Sequence, residues 1–342
     1  MKTRWWKGLL GLVAGALAWA LISTWWVMRP LPLQAETVDL AIEPGQSVKS
    51  MAHTAVASGV DVSPTLLYYF FKFSGQSRLI RAGSYEITQD TSAWQLLNKL
   101  VRGEENLKTL TLVEGWTWRQ FRQTMDKSEF LKHDAMGLSN EEIMSHLGKA
   151  GLSPEGRFFP DTYNFSKGSS DLALLKRAAS AMDKHLALAW QGRDLGLPLK
   201  DADEALILAS IVEKETGLSS DRRMIASVFH NRLRLQMPLQ TDPTVIYGMG
   251  DAFDGNLRRA DLQSDHPWNT YTRKGLPPTP IAMPGRNALR ATLHPDTSKA
   301  LYFVARGDGS SAFSETLEAH NAAVNRYQRG ATSKPSNDTQ AK

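Results

Sequence analysis

The sequence predicts an α+β protein: a single N-terminal transmembrane helix, a small α+β module, and a larger mixed α+β domain. Three observations predict it. Residues 8–28 carry no charge. Between residues 37 and 125, an apolar strand-like run, a tight turn, a Ser or Thr and an amphipathic stretch follow one another three times. Residues 201–236 then give two helical patterns in succession, the first apolar on all sides. A length of 342 residues leaves room for about two folded units.

Charge supports the first element. The formal net charge is +5, and Lys2, Arg4, Lys7 and Arg29 supply four of those charges without an Asp or Glu among residues 1–29. Everything beyond is close to neutral. The basic character is therefore a membrane-topology signal rather than a phosphate-binding surface, and no nucleic-acid partner is expected. The absence of cysteine excludes disulfides, thiol nucleophiles and thiolate-held metals.

As a helix, residues 8–28 would span roughly 31 Å at about 1.5 Å per residue, the thickness of the hydrocarbon core. Trp5, Trp6, Trp25 and Trp26 flank the run, where indole rings favour the headgroup level, and Pro30 and Pro32 stop the helix. Three cations precede the span and one follows it, which places residues 1–7 in the cytoplasm and the rest outside. A cleaved signal peptide is the rival reading. The apolar run is long for one, and Leu33-Gln34-Ala35 makes a poor cleavage site. The expected location is the inner membrane, single-pass, with the body in the periplasm.

Residues 37–105 read as the small module. Val38, Leu40 and Ile42 alternate with polar neighbours, Pro44-Gly45 turns the chain, and Ser47 can cap a helix. The same order recurs at 82–100, with Ser92 as the cap, and at 110–125, with Thr117. Residues 126–200 look mostly helical with loops. Within them Glu155-Gly156-Arg157-Phe158-Phe159-Pro160-Asp161-Thr162-Tyr163 reads as a structural turn with buried rings. Asp201 or Asp203 caps the helix that buries 205–212, which stops at Gly217. Ser219 or Ser220 caps the next helix, with Ile225, Val228, Phe229 and Leu233 on one face. From there to about residue 285 the chain reads as Gly/Pro-rich loops, and residues 331–342 as a disordered tail.

Several catalytic signatures are missing from the sequence. HExxH, GxSxG, Walker and strand–helix GxGxxG motifs are absent, and the eight His show no metal-ligand spacing. What remains is Glu213-Lys214-Glu215-Thr216 at the end of the buried helix. Residues two apart on a helix point about 200° apart, so the two carboxyls do not share a face. Glu215 continues the stripe of Leu208, Ile211 and Val212. Partial desolvation and the negative end of the helix dipole both disfavour its ionisation, as an acid working near neutral pH requires. A solvated Glu paired with Lys214 or Arg222 fits the same pattern. Glu213 makes a similar claim through Ala209 and Ser210, and pattern alone does not choose between them. Downstream, Leu239-Gln240-Thr241-Asp242-Pro243-Thr244 sets polar groups on a loop in which Pro243 pushes Asp242 to extended geometry. Tyr247, Trp268-Asn269-Thr270-Tyr271 and the prolines at 277, 278, 280 and 284 add amide, hydroxyl and aromatic groups that suit a sugar, or an ordinary loop-rich subdomain.

These segments together resemble the YceG-like family of endolytic murein transglycosylases. The resemblance rests on Ala209-Ser210-Ile211-Val212-Glu213-Lys214-Glu215-Thr216, on Ala226-Ser227-Val228-Phe229 with Asn231-Arg232-Leu233, and on Leu239-Gln240-Thr241-Asp242-Pro243-Thr244-Val245-Ile246-Tyr247-Gly248. It extends through Val113-Glu114-Gly115, Phe159-Pro160-Asp161, Asn269-Thr270-Tyr271, Gly275-Leu276-Pro277-Pro278, His294-Pro295, Tyr302-Phe303-Val304 and His320-Asn321. His230 departs from the pattern, standing where an apolar residue is common.

The resemblance implies a LysM-like peptidoglycan-binding module over 37–105 and a catalytic domain over 106–330. It implies cleavage of the bond between N-acetylmuramic acid and N-acetylglucosamine in nascent strands, leaving 1,6-anhydro ends and ending strand elongation. Glu215 would be the catalytic acid/base, with Glu213, Ser210, Gln240, Asp242, Thr244, Asn269 and Tyr271 orienting it or holding sugars. No metal or organic cofactor is implied. Expected partners are peptidoglycan strands, the inner membrane and the peptidoglycan synthases. A hydrolytic muramidase using Asp242 as a second carboxylate, and a non-catalytic peptidoglycan-binding scaffold, are the alternatives.

Overall fold

The computed structural model describes the backbone of residues 2–43, 45–215, 218 and 220–329, with side chains, within these, from Leu12 to Gln328. Pro44 of the first expected turn, the expected helix stop at Gly217, the cap at Ser219, the Trp5 and Trp6 side chains and the tail 331–342 lie outside the described residues. The architecture is α+β, with helices and three two-stranded sheets among the described residues. The chain divides into two compact units. One is Met1–Thr109 with Asn164–Ser169, and the other is Leu110–Tyr163 with Ser170–Lys342.

The first unit opens with α1 (Lys2–Met28), whose described apolar side chains, Leu17, Trp19 and Trp25 among them, are largely exposed. Among the residues whose side chains are described, which take in only 12–28 of the expected span 8–28, no helix is long and apolar enough to cross a membrane. Next, β1 (Thr37–Ile42) pairs antiparallel with β2 (Gly83–Thr88), from Thr37 opposite Thr88 to Ile42 opposite Gly83. Between the strands lie α2 (Val48–Ala57) and α3 (Pro64–Phe73), and α4 (Ala93–Arg102) follows β2. Burial alternates along β1, so Val38, Leu40 and Ile42 enter a core with Leu67, Phe71, Tyr85, Ile87, Leu97 and Leu100. Ser47 accepts from the Ser50 amide at 3.2 Å to cap α2. Ser92 and Gln95 form a capping box on α4, which ends at Gly103 with φ 70°. The sequence patterns do not announce α3, because apolar residues extend well beyond its buried positions Leu67 and Phe71 and blur the helical period.

Strands β3 (Leu107–Thr111) and β4 (Thr162–Ser166) pair with each other, and the boundary between units falls within both. The third strand therefore begins three residues before the expected one at residue 110, and β4 occupies a stretch read as helix and loop.

In the second unit, Thr117 and Gln120 form the capping box of α5 (Trp118–Asp126). Then come α6 (Asn140–His146), α7 (Asp171–Gln191), α8 (Ala202–Glu215) and α9 (Arg222–Arg234). The Asp201 carboxylate caps α8 by accepting from the Glu204 amide at 2.9 Å. Among the described residues no side chain caps α9: its flanking residue is Asp221, and Ser220 donates to Asp221 instead. The stretch read as loops contains two helices, α10 (Asp242–Met249) and α11 (Arg259–Gln263). The chain closes with α12 (Arg286–Leu293), the antiparallel pair β5 (Tyr302–Ala305) and β6 (Ser311–Ser314), and α13 (Leu317–Val324), which runs into a π-helical turn, Asn325–Arg329. Helix α8 packs against α7, α9, α10 and α12. Ala205, Leu206, Leu208, Ala209, Ile211 and Val212 are wholly buried, as an all-round apolar helix requires.

His230 explains why a polar ring is tolerated in α9. It is wholly buried, donates from Nε2 to the Thr292 carbonyl at 2.7 Å, and burial lowers its pKa to about 4. It stays neutral at physiological pH and packs as a flat, nearly apolar group.

Leu97→Ala should destabilise the protein by about 2–5 kcal/mol, through lost burial and the cavity left behind. Ser92→Ala should cost about 1 kcal/mol, through the lost cap. Urea unfolding measures both, and a cap loss as large as the core loss would contradict this account of the first unit.

Candidate active site

The buried stripe of α8 ends on Glu215, its last residue, which emerges half-buried at the edge of the core. Helix α10 begins beside it. Thr241 flanks α10 in extended geometry, φ −116° and ψ 121°, and its hydroxyl donates to Glu215 Oε1. The extended residue is thus Thr241, not Asp242, which is already in the first helical turn with Pro243. Thr241 is itself fixed at both its amide and its carbonyl. Its amide donates to Thr270 Oγ1 at 3.1 Å, its carbonyl accepts from Thr244 Oγ1 at 2.7 Å, and Thr244 and Thr270 share a bond of 2.9 Å. The preceding residue, Gln240, sits at φ 50° and donates its amide to the Thr270 carbonyl at 3.0 Å.

Glu215 opens into a cleft of about 490 Å³ whose lining includes Arg232, Gln240, Asp242, Tyr271, Tyr302 and His320. Arg232 is held by donating from Nε to the Leu301 carbonyl at 2.7 Å and from Nη1 to the Leu239 carbonyl at 2.8 Å. Its guanidinium lies 5.2 Å from the centre of the Tyr302 ring, and Tyr302 stacks on His320 at 5.3 Å. The Tyr271 hydroxyl donates to Asp242 at 2.5 Å. Burial pushes the Glu215 carboxyl from 4.5 up to about 7. The Thr241 hydrogen bond pulls it down, the Asp242 charge raises it, and Arg232 lowers it. A substantial share of this carboxyl therefore holds a proton near neutrality.

Of the residues singled out from sequence, Glu215, Gln240, Asp242 and Tyr271 meet in the cleft. Ser210, Glu213, Thr244 and Asn269 do not line it; each is spent on the framework. Ser210 is buried, donating to the Ile207 carbonyl at 2.7 Å and accepting from the Ile281 amide at 3.0 Å. Glu213 accepts from Arg222 at 3.3 Å and from the Gly285 amide at 2.9 Å. A Cβ at Gly285 would displace the Glu114 carboxyl, which lies against it. Asn269 is wholly buried and ties its loop together, donating to the Ser264 carbonyl at 2.6 Å and accepting from the Tyr271 amide at 2.8 Å. Tyr247 and Trp268 pack edge to face, 5.6 Å apart, away from the cleft lining. Glu155 is a second carboxyl that burial raises to about 7. It accepts from the Trp118 amide at 3.0 Å at the start of α5 and from Tyr247.

Sequence reasoning missed Thr241, Arg232, Tyr302 and His320. All four lie in strings that carry the family resemblance, which is the signal that could have found them.

The chain matches the YceG-like family over residues 40–326 and belongs to it. An endolytic murein transglycosylase of Bacillus subtilis is 32% identical over 313 residues, covering 85% of each chain. One from Streptococcus pneumoniae R6 is 29% identical over 334 residues, covering 86% of this chain and 59% of that one. The crystal structure of a yceG-like protein from Listeria monocytogenes superposes with a TM-score of 0.53 at 28% identity, covering 84% of this chain and 98% of that one.

The raised Glu215 carboxyl has a consequence for stability. The folded state holds this proton more tightly than the unfolded chain, so the contribution is full below pH 4.5 and is lost as pH rises through about 7. Glu215→Gln should therefore gain stability over the wild type at pH 8 and not at pH 4, read by thermal unfolding at both. Equal shifts at the two pH values would contradict a raised pKa.

Proposed function

We propose that the protein is an endolytic peptidoglycan transglycosylase that cleaves the β-1,4 bond between N-acetylmuramic acid and N-acetylglucosamine with Glu215 as its acid and base. The observation that carries the residue assignment is a carboxyl raised to about 7 at the edge of a polar, aromatic cleft. Kinship with transglycosylases over most of the chain carries the reaction.

One carboxyl suffices for this reaction. Glycosidases that use water need a second carboxylate to activate it or to form a covalent intermediate. Here the muramyl 6-hydroxyl attacks its own anomeric carbon, and tethering supplies its high effective concentration. Glu215 gives its proton to the leaving glycosidic oxygen and the C–O bond breaks. The carboxylate then takes the proton of the 6-hydroxyl as the 1,6-anhydro ring closes. Thr241 orients the carboxyl through the hydrogen bond to Oε1, and the Arg232 charge steadies its anionic form. Gln240, Tyr271, Tyr302 and His320 offer amide, hydroxyl and ring surfaces to sugars. Asp242, the carboxylate a hydrolase would use on water, already accepts the Tyr271 hydroxyl.

The setting follows from the sequence. Residues 8–28 anchor α1 in the inner membrane with residues 1–7 inside and the body in the periplasm; the uncharged run and its flanking cations support this. Residues 37–105 act as a LysM-like peptidoglycan-binding module, a reading supported by two helices between paired strands. An anchored enzyme cuts nascent strands close to the synthases that make them and so sets strand length.

Digestion of purified peptidoglycan by the full-length protein in detergent should release anhydromuramyl ends, and Glu215→Gln should lower the rate by about 100-fold or more. Reducing ends in place of anhydro ends, or an unimpaired Glu215→Gln, would refute the mechanism. Activity should fall as pH rises above about 7, because the acid loses its proton. Thr241→Val removes the hydrogen bond that lowers this pKa, so it should shift the falling limb upward. A downward shift would contradict the assigned role of Thr241.

A further inference from the structure

The first unit exposes an apolar face that neither the cleft nor the β1–β2 sheet uses. On α3, Leu67 and Phe71 enter the core, while Leu66, Tyr69 and Phe73 point outward, Phe73 with 78% of its surface exposed. A helix with apolar side chains on its outer side as well as its buried one has an unmet requirement for burial.

The neighbouring surface indicates what meets it. A groove of about 830 Å³ runs between α1 and α3, lined by Ile22, Trp25 and Trp26 from one and Tyr69, Phe70 and Phe73 from the other. Trp26 meets Phe70 edge to face at 6.1 Å, and Tyr69 stacks on Phe73 at 5.8 Å. The groove's lining extends back along α1 to Trp19, roughly 10 Å of helix above Trp26 at 1.5 Å per residue. The backbone below α1 is fastened to the same unit: the Leu31 amide donates to the Thr91 carbonyl at 2.9 Å, and that of Gln34 to the Gly59 carbonyl at 2.9 Å. Basic residues lie near the groove in the sequence, between Asp61 and Glu86. Residues 62–85 contain Lys72, Arg78 and Arg81 and no Asp or Glu, and Arg29 lies 4.8 Å over the Trp25 ring.

We infer that the face formed by Leu66, Tyr69 and Phe73 is immersed in the outer leaflet of the membrane alongside α1. The inference rests on the reading of α1 as the membrane anchor. Lipid tails fill the groove between the helices, and Lys72, Arg78 and Arg29 reach anionic headgroups, their stems lying along the apolar surface. The strand-pair module is then laid on the bilayer at a fixed depth instead of swinging on a tether.

The sequence contains no cysteine, so Phe73→Cys and Val13→Cys each create one labelling site in the full chain. Each nitroxide-labelled protein is placed in nanodiscs containing phosphatidylglycerol. Collisions with oxygen, which concentrates in lipid, are compared with collisions with a water-soluble nickel chelate. The inference expects both labels to favour oxygen. A label at 13 that favours oxygen beside one at 73 that favours nickel would overturn it and leave the anchor intact. Labels at both positions that favour nickel would overturn the anchor together with it. Protection of the label at 73 from both reagents would mean that protein, such as a second copy of the chain, covers the face, and would equally overturn it.

Discussion

Burial of α8 is the constraint on which the second unit depends. Its side chains from Ala205 to Val212 are apolar on nearly every side, so the helix must be surrounded, and α7, α9, α10 and α12 do so. A helix enclosed in this way holds the residue at its end to a narrow set of positions. Glu215 inherits that rigidity. Its carboxyl is neither fully solvated nor fully sealed, and its raised proton affinity follows from that half-way position.

Enclosure creates a second demand, since every polar group taken inside must find a partner. Ser210 meets it through the Ile281 amide, Glu213 through Arg222 and Gly285, and Asn269 through the carbonyls of its own loop. These side chains place the segments that frame the cleft without entering it. The threonine trio does the same work nearest the carboxyl, with Thr244 and Thr270 holding Thr241 and Thr241 holding Glu215.

Much of this was legible in the sequence. The caps at Ser47, Ser92 and Thr117, the alternation along β1 and the buried run in α8 are local patterns, and local physics enforces them. The position of Glu215 on the apolar stripe was legible for the same reason. Other features depend on partners that no local pattern contains. Ser210, Glu213 and Asn269 looked like site residues because polar groups near a motif invite that reading; the backbone groups they bind are invisible in a sequence. Arg232, Tyr302 and His320 come from three separate elements and meet Glu215 only in the folded chain. Helix α10 overrides the extended preference of the residue before a proline: Asp242 is helical, the backbone is extended at Thr241, and Pro243 sits within the first turn, where its missing amide costs nothing.

Gln240 is one of two described non-glycine residues at positive φ, and it borders the threonine that holds the carboxyl. A side chain in that conformation costs on the order of 1 kcal/mol, which the surrounding bonds must offset. The site thus keeps part of its backbone under tension, as ligand-handling loops often do. Glycine at this position would relax the loop and remove an amide from the cleft in one step. The expected product is a protein with a higher melting temperature and a slower enzyme, in which thermal robustness and catalytic competence are set against each other at a single backbone angle.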